Sequence, residues 1–239
     1  MREILKKGDM LTDEHIHLAQ EMLHTQFPHL DGFQSSLLSQ VDGFSPVRNE
    51  SIQIHHVDGN HWVVSTSIGQ TVSVFDSKFD GRELSSSLSH QLATIYRTLM
   101  KTTDEDGEEI DPILEVSIPY VQQQQGKRDC GLFAVAFALH AALGNDLQNI
   151  VFDQMRMRSH LLACFEKKKL TSFPNEKRKA REEKYLYFPM QEIELYCTCL
   201  MPETYGDMVQ CDACEKWYHL RCVGLLEPPQ VDWICMSCM

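Results

Sequence analysis

Three residue types in this 239-residue chain could carry out acyl transfer together, and each falls at the end of an expected element. Cys130 follows the polar stretch QQQQGKRD and opens an unbroken apolar run, so it is predicted at the N-terminus of a helix. Unpaired N–H groups and the positive end of the helix dipole favour the thiolate there, and the thiolate is the nucleophile. From Leu132 to Leu143 only His140 is polar, which predicts a helix buried nearly all round and a rigid mount for the thiol. Gly131 leaves room for a substrate backbone. His61 lies where a turn feeds a strand, and Asp76 lies at the end of the next strand, fifteen residues on. A hairpin returning on itself brings both to one sheet edge, where the carboxylate can hold the imidazole. One of the glutamines Gln122–Gln125 could donate to a developing oxyanion beside the Cys130 N–H, the rest reading as a small low-complexity run. A lone cysteine on an apolar helix is more often inert packing; the His and Asp at element ends weigh against that here.

A second constellation follows residue 196: Cys197-x-Cys199, Cys211-x2-Cys214, His219-x2-Cys222 and Cys235-x2-Cys238. Seven thiolates and one imidazole fill two closed tetrahedral zinc sites with no position open for catalysis. Residues 190–239 hold too little apolar sequence for a core of their own, so the metal must contribute folding energy. Of nine cysteines only Cys130 and Cys164 lie elsewhere, and zinc in a reducing compartment fits this pattern better than disulfides. No cofactor is expected at Cys130.

The elements that position these groups follow from periodicity. Asp13 is a candidate N-cap for a helix with Ile16, Ala19, Met22 and Leu23 on one face, stopped by Phe27-Pro28. Leu37 and Leu38 are expected in the core. Ser51–His56, Trp62–Ser67 and Thr71–Phe75 read as an antiparallel meander with turns at Asp58-Gly59-Asn60 and Gly69-Gln70. A helix is expected over 90–100, an acidic loop over 102–111 and a strand over 113–118. A closing helix over 152–167 offers Met155, Leu161, Leu162 and Phe165 to the core.

Net charge is −12, and it is uneven: about −10 over 1–165, about +4 over 166–189 and about −6 over 190–239. An acidic chain with one basic joint is not expected to bind nucleic acid directly. The longest apolar run, residues 131–139, is too short for a bilayer, and MREILKKGDM has no signal-peptide core, so the chain reads as intracellular and not membrane-bound.

The order His61-Trp62, Asp76, then glutamine, glycine and Asp129-Cys130-Gly131 resembles the Ulp/SENP-type ubiquitin-like-protein proteases, over roughly residues 1–168. The resemblance implies an α+β papain-like cysteine protease fold with an antiparallel sheet and helices, cleaving after a Gly-Gly tail. It implies a His61, Asp76, Cys130 triad with Gln124, six residues before the nucleophile, as oxyanion donor. Trp62 would wall a channel that admits only glycines. Leu11-Thr12-Asp13-Glu14 looks like the family's opening Trp-Leu-Asn-Asp segment and places Asp13, with Gly131, at the substrate. Met10 stands where the family usually has a second channel tryptophan. Gly126 is one residue further from the cysteine than usual, so Gln123 competes with Gln124.

The cysteine-rich end resembles a plant homeodomain (PHD) finger. That resemblance implies a cross-brace, with Cys197, Cys199, His219 and Cys222 on one zinc and Cys211, Cys214, Cys235 and Cys238 on the other. Tyr196, Met208 and Trp217 match cage positions of fingers that read methylated lysine on the histone H3 tail, with Tyr205 nearby and Asp207 and Asp212 set to pair basic tail residues. The expected organisation is a protease domain at 1–168, a basic linker at 169–192 and a finger at 193–239. Its expected function is a cysteine isopeptidase or endopeptidase acting on a ubiquitin-like modifier, SUMO-like or related, and directed to chromatin by the finger. The competing reading is a weak or inactive protease-fold docking protein that reads histone tails; ligase activity is disfavoured by Trp233, two residues before Cys235. The expected partners are the modifier or its conjugates and the H3 tail. Lys177-Arg178-Lys179-Ala180-Arg181 fits a nuclear-import signal, so the nucleus is the expected compartment and the cytoplasm the alternative.

Overall fold

The computed structural model describes residues 8–41, 43–79, 81, 83–104, 106–177 and 190–239. Helix α1 spans Asp13–Gln26. Its N-cap is Thr12 rather than Asp13: Thr12 has extended backbone, its Oγ1 lies 2.7 Å from His15 Nδ1, and its N–H points at the same nitrogen. Asp13 is the first helical residue, and its carboxylate accepts from Ser36 Oγ at 3.0 Å.

Strand β1 (Asp31–Gly32) pairs parallel with β2 (Ser51–Val57), which begins the expected antiparallel meander through β3 (His61–Thr66) and β4 (Val72–Phe75). The β2–β3 turn is tight because Asp58 and Gly59 both take positive φ, 52° and 73°, the backbone twist that closes a short hairpin. Helix α2 (Ser86–Ile95) follows, starting four residues earlier than periodicity suggests because Ser85 caps it through Leu88 N–H. The acidic segment expected as a loop is a hairpin of β5 (Lys101–Thr103) and β6 (Glu109–Ser117), in which Asp104 accepts from the N–H groups of Asp106 and Glu108. Helix α3 (Cys130–Ala142), β7 (Ile150–Phe152), α4 (Gln154–Lys167) and β8 (Asn175–Lys177) complete this part, with β7 and β8 paired.

Successive side chains of β2 and β3 point to opposite faces, and both faces are covered, so even the polar alternates Ser51, Gln53, His55 and Ser65 are buried. Ile52, Ile54, Trp62 and Val64 pack under α3, together with α1 and α4. Val57, Val63, Val72 and Val74 pack on the other face under α2. Residues 130–141 of α3 are all buried, as the sequence predicts. Two core expectations fail: Leu37 is 52% exposed and Met155 is 92% exposed, because Met157, Leu161 and Cys164 form the inner face of α4.

The sheet order is β1-β2-β3-β4-β6-β5, with β4 parallel to β6, so the sheet is mixed rather than wholly antiparallel. A further strand, β9 (Gln191–Glu194), pairs antiparallel with β6. It lies at the expected joint between linker and finger. Of the basic pentad, Lys177 ends β8 and 178–181 lie outside the described residues. Beyond β9 the chain forms the small ribbon of β10 (Met208–Gln210) and β11 (Trp217–His219). Ile193, Leu195 and Met201 are buried in the same cluster as Leu92, Ile95 and Val116, so this end of the chain completes the core on the α2 face. Each such side chain stabilises the junction by roughly 1.5–3 kcal/mol. Met201 lies between two of the cysteine pairs, and its Sδ accepts from Thr94 Oγ1 of α2 at 3.7 Å. Met201→Ala should cost about 2–4 kcal/mol and speed amide exchange in α2 and β6; faster exchange confined to 195–239 would refute a shared core.

Candidate functional site

The meander delivers the site. β3 starts at His61, runs away, and β4 returns alongside it with Val64 opposite Phe75, so Asp76 emerges at the edge where His61 began. His61 Nε2 lies 2.7 Å from Asp76 Oδ1, and the same oxygen accepts from Lys78 N–H at 2.7 Å. With Nε2 committed to the carboxylate, Nδ1 is left to face the Cys130 sulfur, whose proximity favours the imidazolium. Cys130 is the first residue of α3, and the backbone N–H groups of Trp62 and Gly131 near its sulfur favour the anion.

These contacts set the charge state. Burial opposes the His61 imidazolium, but the Asp76 carboxylate and the Cys130 sulfur outweigh it and hold the pKa up at about 9. Burial likewise opposes the Cys130 thiolate; the His61 hydrogen bond and the Trp62 N–H outweigh it and bring the thiol below its ordinary value. At neutral pH His61 is therefore the imidazolium, and the Cys130 thiol is shifted toward the thiolate, the form suited to nucleophilic attack.

The four glutamines, read in sequence mostly as a low-complexity run, each have a separate task. Gln122 grips the backbone of Phe152 with both ends of its amide. Gln123 Nε2 donates to the Asp76 carbonyl at 3.1 Å, on the triad side of the loop. Gln124 accepts from Ser77 Oγ and donates to the Gly126 carbonyl at 2.9 Å. The backbone of Gln125 is held in both directions by the Gln154 side chain. Both oxyanion candidates thus lie on the loop that leads to Cys130. Gln154 and Arg158, four apart on α4, bind the Asp129 carboxylate and were not singled out from sequence; only their helical spacing could have marked them.

Trp62 is buried, stacks on His56 with ring centroids 4.5 Å apart and donates to the Leu11 carbonyl at 3.2 Å. Packing against Leu11 itself calls for glycine at 131, since a Cβ there would sit 2.9 Å from Leu11 Cβ. Leu11 and Met10 pack against the same cluster as Trp62 and Cys130. Asp13 is half-buried, and its carboxylate is held by Ser36 Oγ.

In the finger the eight ligand candidates form two groups: Cys197, Cys199, His219 and Cys222, and Cys211, Cys214, Cys235 and Cys238. Within each group the ligand atoms all lie within 4.8 Å of one another. His219 gives Nε2 to the Pro202 carbonyl at 3.1 Å, which leaves Nδ1 facing Cys199 Sγ at 3.3 Å. All nine cysteines are free, and Cys211 Sγ accepts from Cys235 N–H as a thiolate ligand would. The groups are therefore compatible with zinc.

The residues expected to form a cage fall in different places. Tyr196 and Trp217, the latter 43% exposed, line one hollow of about 220 Å³ together with Asp111 and Pro112 of the β6 strand. Met208 sits opposite His219 in the ribbon and so projects from the same face as Trp217. Tyr205 lies elsewhere, beneath the Arg221 guanidinium at 3.4 Å and edge-on to His90. Asp212 is taken up by Trp233 N–H at 2.6 Å, and the Asp207 carbonyl accepts from Leu220 N–H.

Comparison with known proteins gives two family matches: the Ulp1 protease family, C-terminal catalytic domain, over residues 51–173, and the PHD-finger over 197–238. Among solved structures, the C-terminal Ulp1 protease domain in complex with Smt3, the yeast ortholog of SUMO, superposes with a TM-score of 0.50 at 16% identity, covering 70% of this chain and 81% of that one. Chromatin modification-related protein png2 of Schizosaccharomyces pombe is 48% identical over 48 residues, 19% of this chain and 15% of that protein. Chromatin remodeling protein EBS of Arabidopsis thaliana is 40% identical over 55 residues, 21% and 24% of the respective chains. The chain thus spans less than a quarter of the length of either relative.

Because Met201, Leu195 and Cys199 tie the first ligand group to the α2 face, chelation should not leave the rest of the chain untouched. EDTA should speed amide exchange in 197–238 fully and in β9, β6 and α2 partially, with α1 and α3 unchanged. Exchange that changes only within 197–238 would mean that the finger folds independently.

Proposed function

The chain belongs to the Ulp1 protease family, and on that footing we propose that it is a cysteine peptidase that cleaves after the C-terminal Gly-Gly of a ubiquitin-like modifier, brought to chromatin by a PHD finger that holds two structural zinc ions. The observation that carries the reading is the Cys130 sulfur at the N-terminus of a wholly buried helix, facing a His61 that Asp76 holds at 2.7 Å.

In this reading the Cys130 thiolate attacks the carbonyl carbon of the terminal glycine. The resulting oxyanion is met by the Cys130 N–H and by a glutamine amide, Gln124 or Gln123. His61 gives its proton to the departing amine, leaving a thioester and a neutral imidazole, while Asp76 keeps the ring oriented. A water molecule then gives a proton to His61 and attacks the thioester, which frees the modifier and restores the thiolate and imidazolium. The wall built by Leu11 and Trp62 beside Gly131 supports a preference for glycines, since a larger side chain would meet it. The zinc ions supply cross-links that fix the finger and take no part in these steps.

A probe carrying a Gly-Gly electrophile on a ubiquitin-like modifier tests the peptidase and, as a panel, identifies the modifier. Labelling should occur at Cys130 and vanish in Cys130→Ala, while His61→Ala should abolish turnover and Asp76→Asn leave a trace. No labelling by any probe would instead favour a docking protein, the reading to which Met10 points. Removing the oxyanion amide should cost on the order of a hundredfold in rate; the larger loss between Gln123→Ala and Gln124→Ala names the donor. The rate should rise as the lowered Cys130 thiol ionises and fall near pH 9 as His61 loses its proton. Asp76→Asn should move the upper limb to lower pH; a limb that does not move would show that His61 is not the group titrating.

For the finger, the reading is recognition of the H3 tail by Tyr196, Trp217 and Met208 around a methylated lysine, whose cation the ring faces attract. The similarity to chromatin modification and remodeling proteins and the acidic charge of residues 190–239 support it, and a nuclear location goes with it. Asp111 and Pro112 wall the same hollow, so the full chain is the proper reagent. Trimethylation at the fourth lysine should tighten binding of an H3 peptide, and Trp217→Ala should abolish the gain; equal or absent binding would remove the cage.

A further inference from the structure

Immediately before the nucleophile, Asp129 places a carboxylate next to a thiolate, and an uncompensated charge there would oppose ionisation of Cys130. The compensation comes from α4. Arg158 Nη2 pairs with Asp129 Oδ1 and also donates to the Arg128 carbonyl at 3.3 Å, while Nη1 donates to the Asp9 carbonyl at 2.7 Å. Both side chains are mostly buried, 17% and 18% exposed, so the pair is partly shielded from solvent and salt. One turn earlier on the same helix, Gln154 donates to Asp129 Oδ2 at 2.6 Å and grips the Gln125 backbone.

We propose that Arg158 is a positioning residue for Cys130: one planar guanidinium fixes the residue before the nucleophile, the loop that carries it and the N-terminal segment that walls the cleft. The proposal rests on the peptidase reading. The fork of donors makes the arrangement possible, because a lysine could match the charge but not reach two carbonyls and a carboxylate at once. Asp9 is continuous with Met10 and Leu11, so Arg158 also sets how closely that segment approaches Gly131. The other charged groups around the pair are Arg128, 3.9 Å from Asp9, and Asp153, which lines the same hollow as Asp129 and Arg158. Beyond Cys130 stand His61 and Asp76, with Lys78, Lys127 and Glu83 bordering the hollow on their far side.

Two readouts on the full chain separate this role from simple scaffolding: the pH midpoint of iodoacetamide alkylation, followed at Cys130 by mass spectrometry, and the labelling rate by the modifier probe that reacts best with wild type. Arg158→Gln should raise the alkylation midpoint by about half a pH unit and slow probe labelling roughly tenfold. Arg158→Lys should keep the wild-type midpoint yet label slowly, because the charge stays and the Asp9 contact is lost. Adding Asp129→Asn to Arg158→Gln should return the midpoint toward wild type without restoring the labelling rate. Folded Arg158→Gln with a midpoint within about 0.2 pH unit of wild type and a labelling rate within twofold of it would overturn the proposal. Should Arg158→Gln not fold, Arg158→Lys decides it, and wild-type labelling by that variant would overturn it. Wild-type Cys130 that alkylates as an ordinary thiol defeats the peptidase reading and this proposal with it; a reactive wild-type Cys130 unmoved in the variants defeats the Arg158 assignment alone.

Discussion

A helix that is apolar on every side must be covered on every side, and most of the architecture follows from that requirement. Residues 130–141 of α3 are buried, so the sheet, α1 and α4 all have to close around it. A helix so enclosed has few degrees of freedom, and its first residue inherits that rigidity. Cys130 is therefore fixed in space by packing that extends well beyond the site, while the polar groups around it adjust charge and orientation. The N-terminus is where such a helix still has unsatisfied N–H groups, which makes it the natural place for a thiolate.

The cysteine-rich end is joined to this framework by more than a tether. β9 extends the sheet from β6, and Ile193, Leu195 and Met201 fill the face that α2 alone does not close. Polar contacts reinforce the junction, from His90 to Thr204 and from Arg97 to the Cys199 carbonyl. The first ligand group and the α2 face consequently share side chains, so a change in one is felt in the other.

Residue type and spacing made the chemistry legible: eight metal-type ligands, a cysteine opening an apolar helix, and His61 and Asp76 at strand ends that a meander must bring together. Much of the fold was legible for the same reason, because strands covered on both faces and an amphipathic α1 leave periodic signatures. The rest depends on contacts that have no period. That Thr12 rather than Asp13 caps α1 turns on one His15 nitrogen, and that Met155 is outside turns on Met157, Leu161 and Cys164 forming the inner face of α4. The hairpin within the acidic segment hangs on the Asp104 carboxylate, and β9 finds a partner about eighty residues away in sequence. Arg158 and Gln154 escaped notice because charged residues on a helix are ordinarily solvated, and nothing local reveals that a loop thirty residues earlier lies beneath them.

The glutamine run has a consequence at the level of the gene. Tracts of one repeated residue often change length through slippage during DNA copying, and in a solvated loop such changes are harmless. Here Gln122, Gln123 and Gln124 are chemically identical yet their side chains enter three unlike sockets, at Phe152, Asp76 and Ser77, while Gln125 is held by its backbone at Gln154. Gain or loss of one glutamine would leave the composition almost unchanged while moving every socket's occupant relative to Cys130. Selection on this stretch should therefore act on the count of residues more strongly than on the bases that encode them.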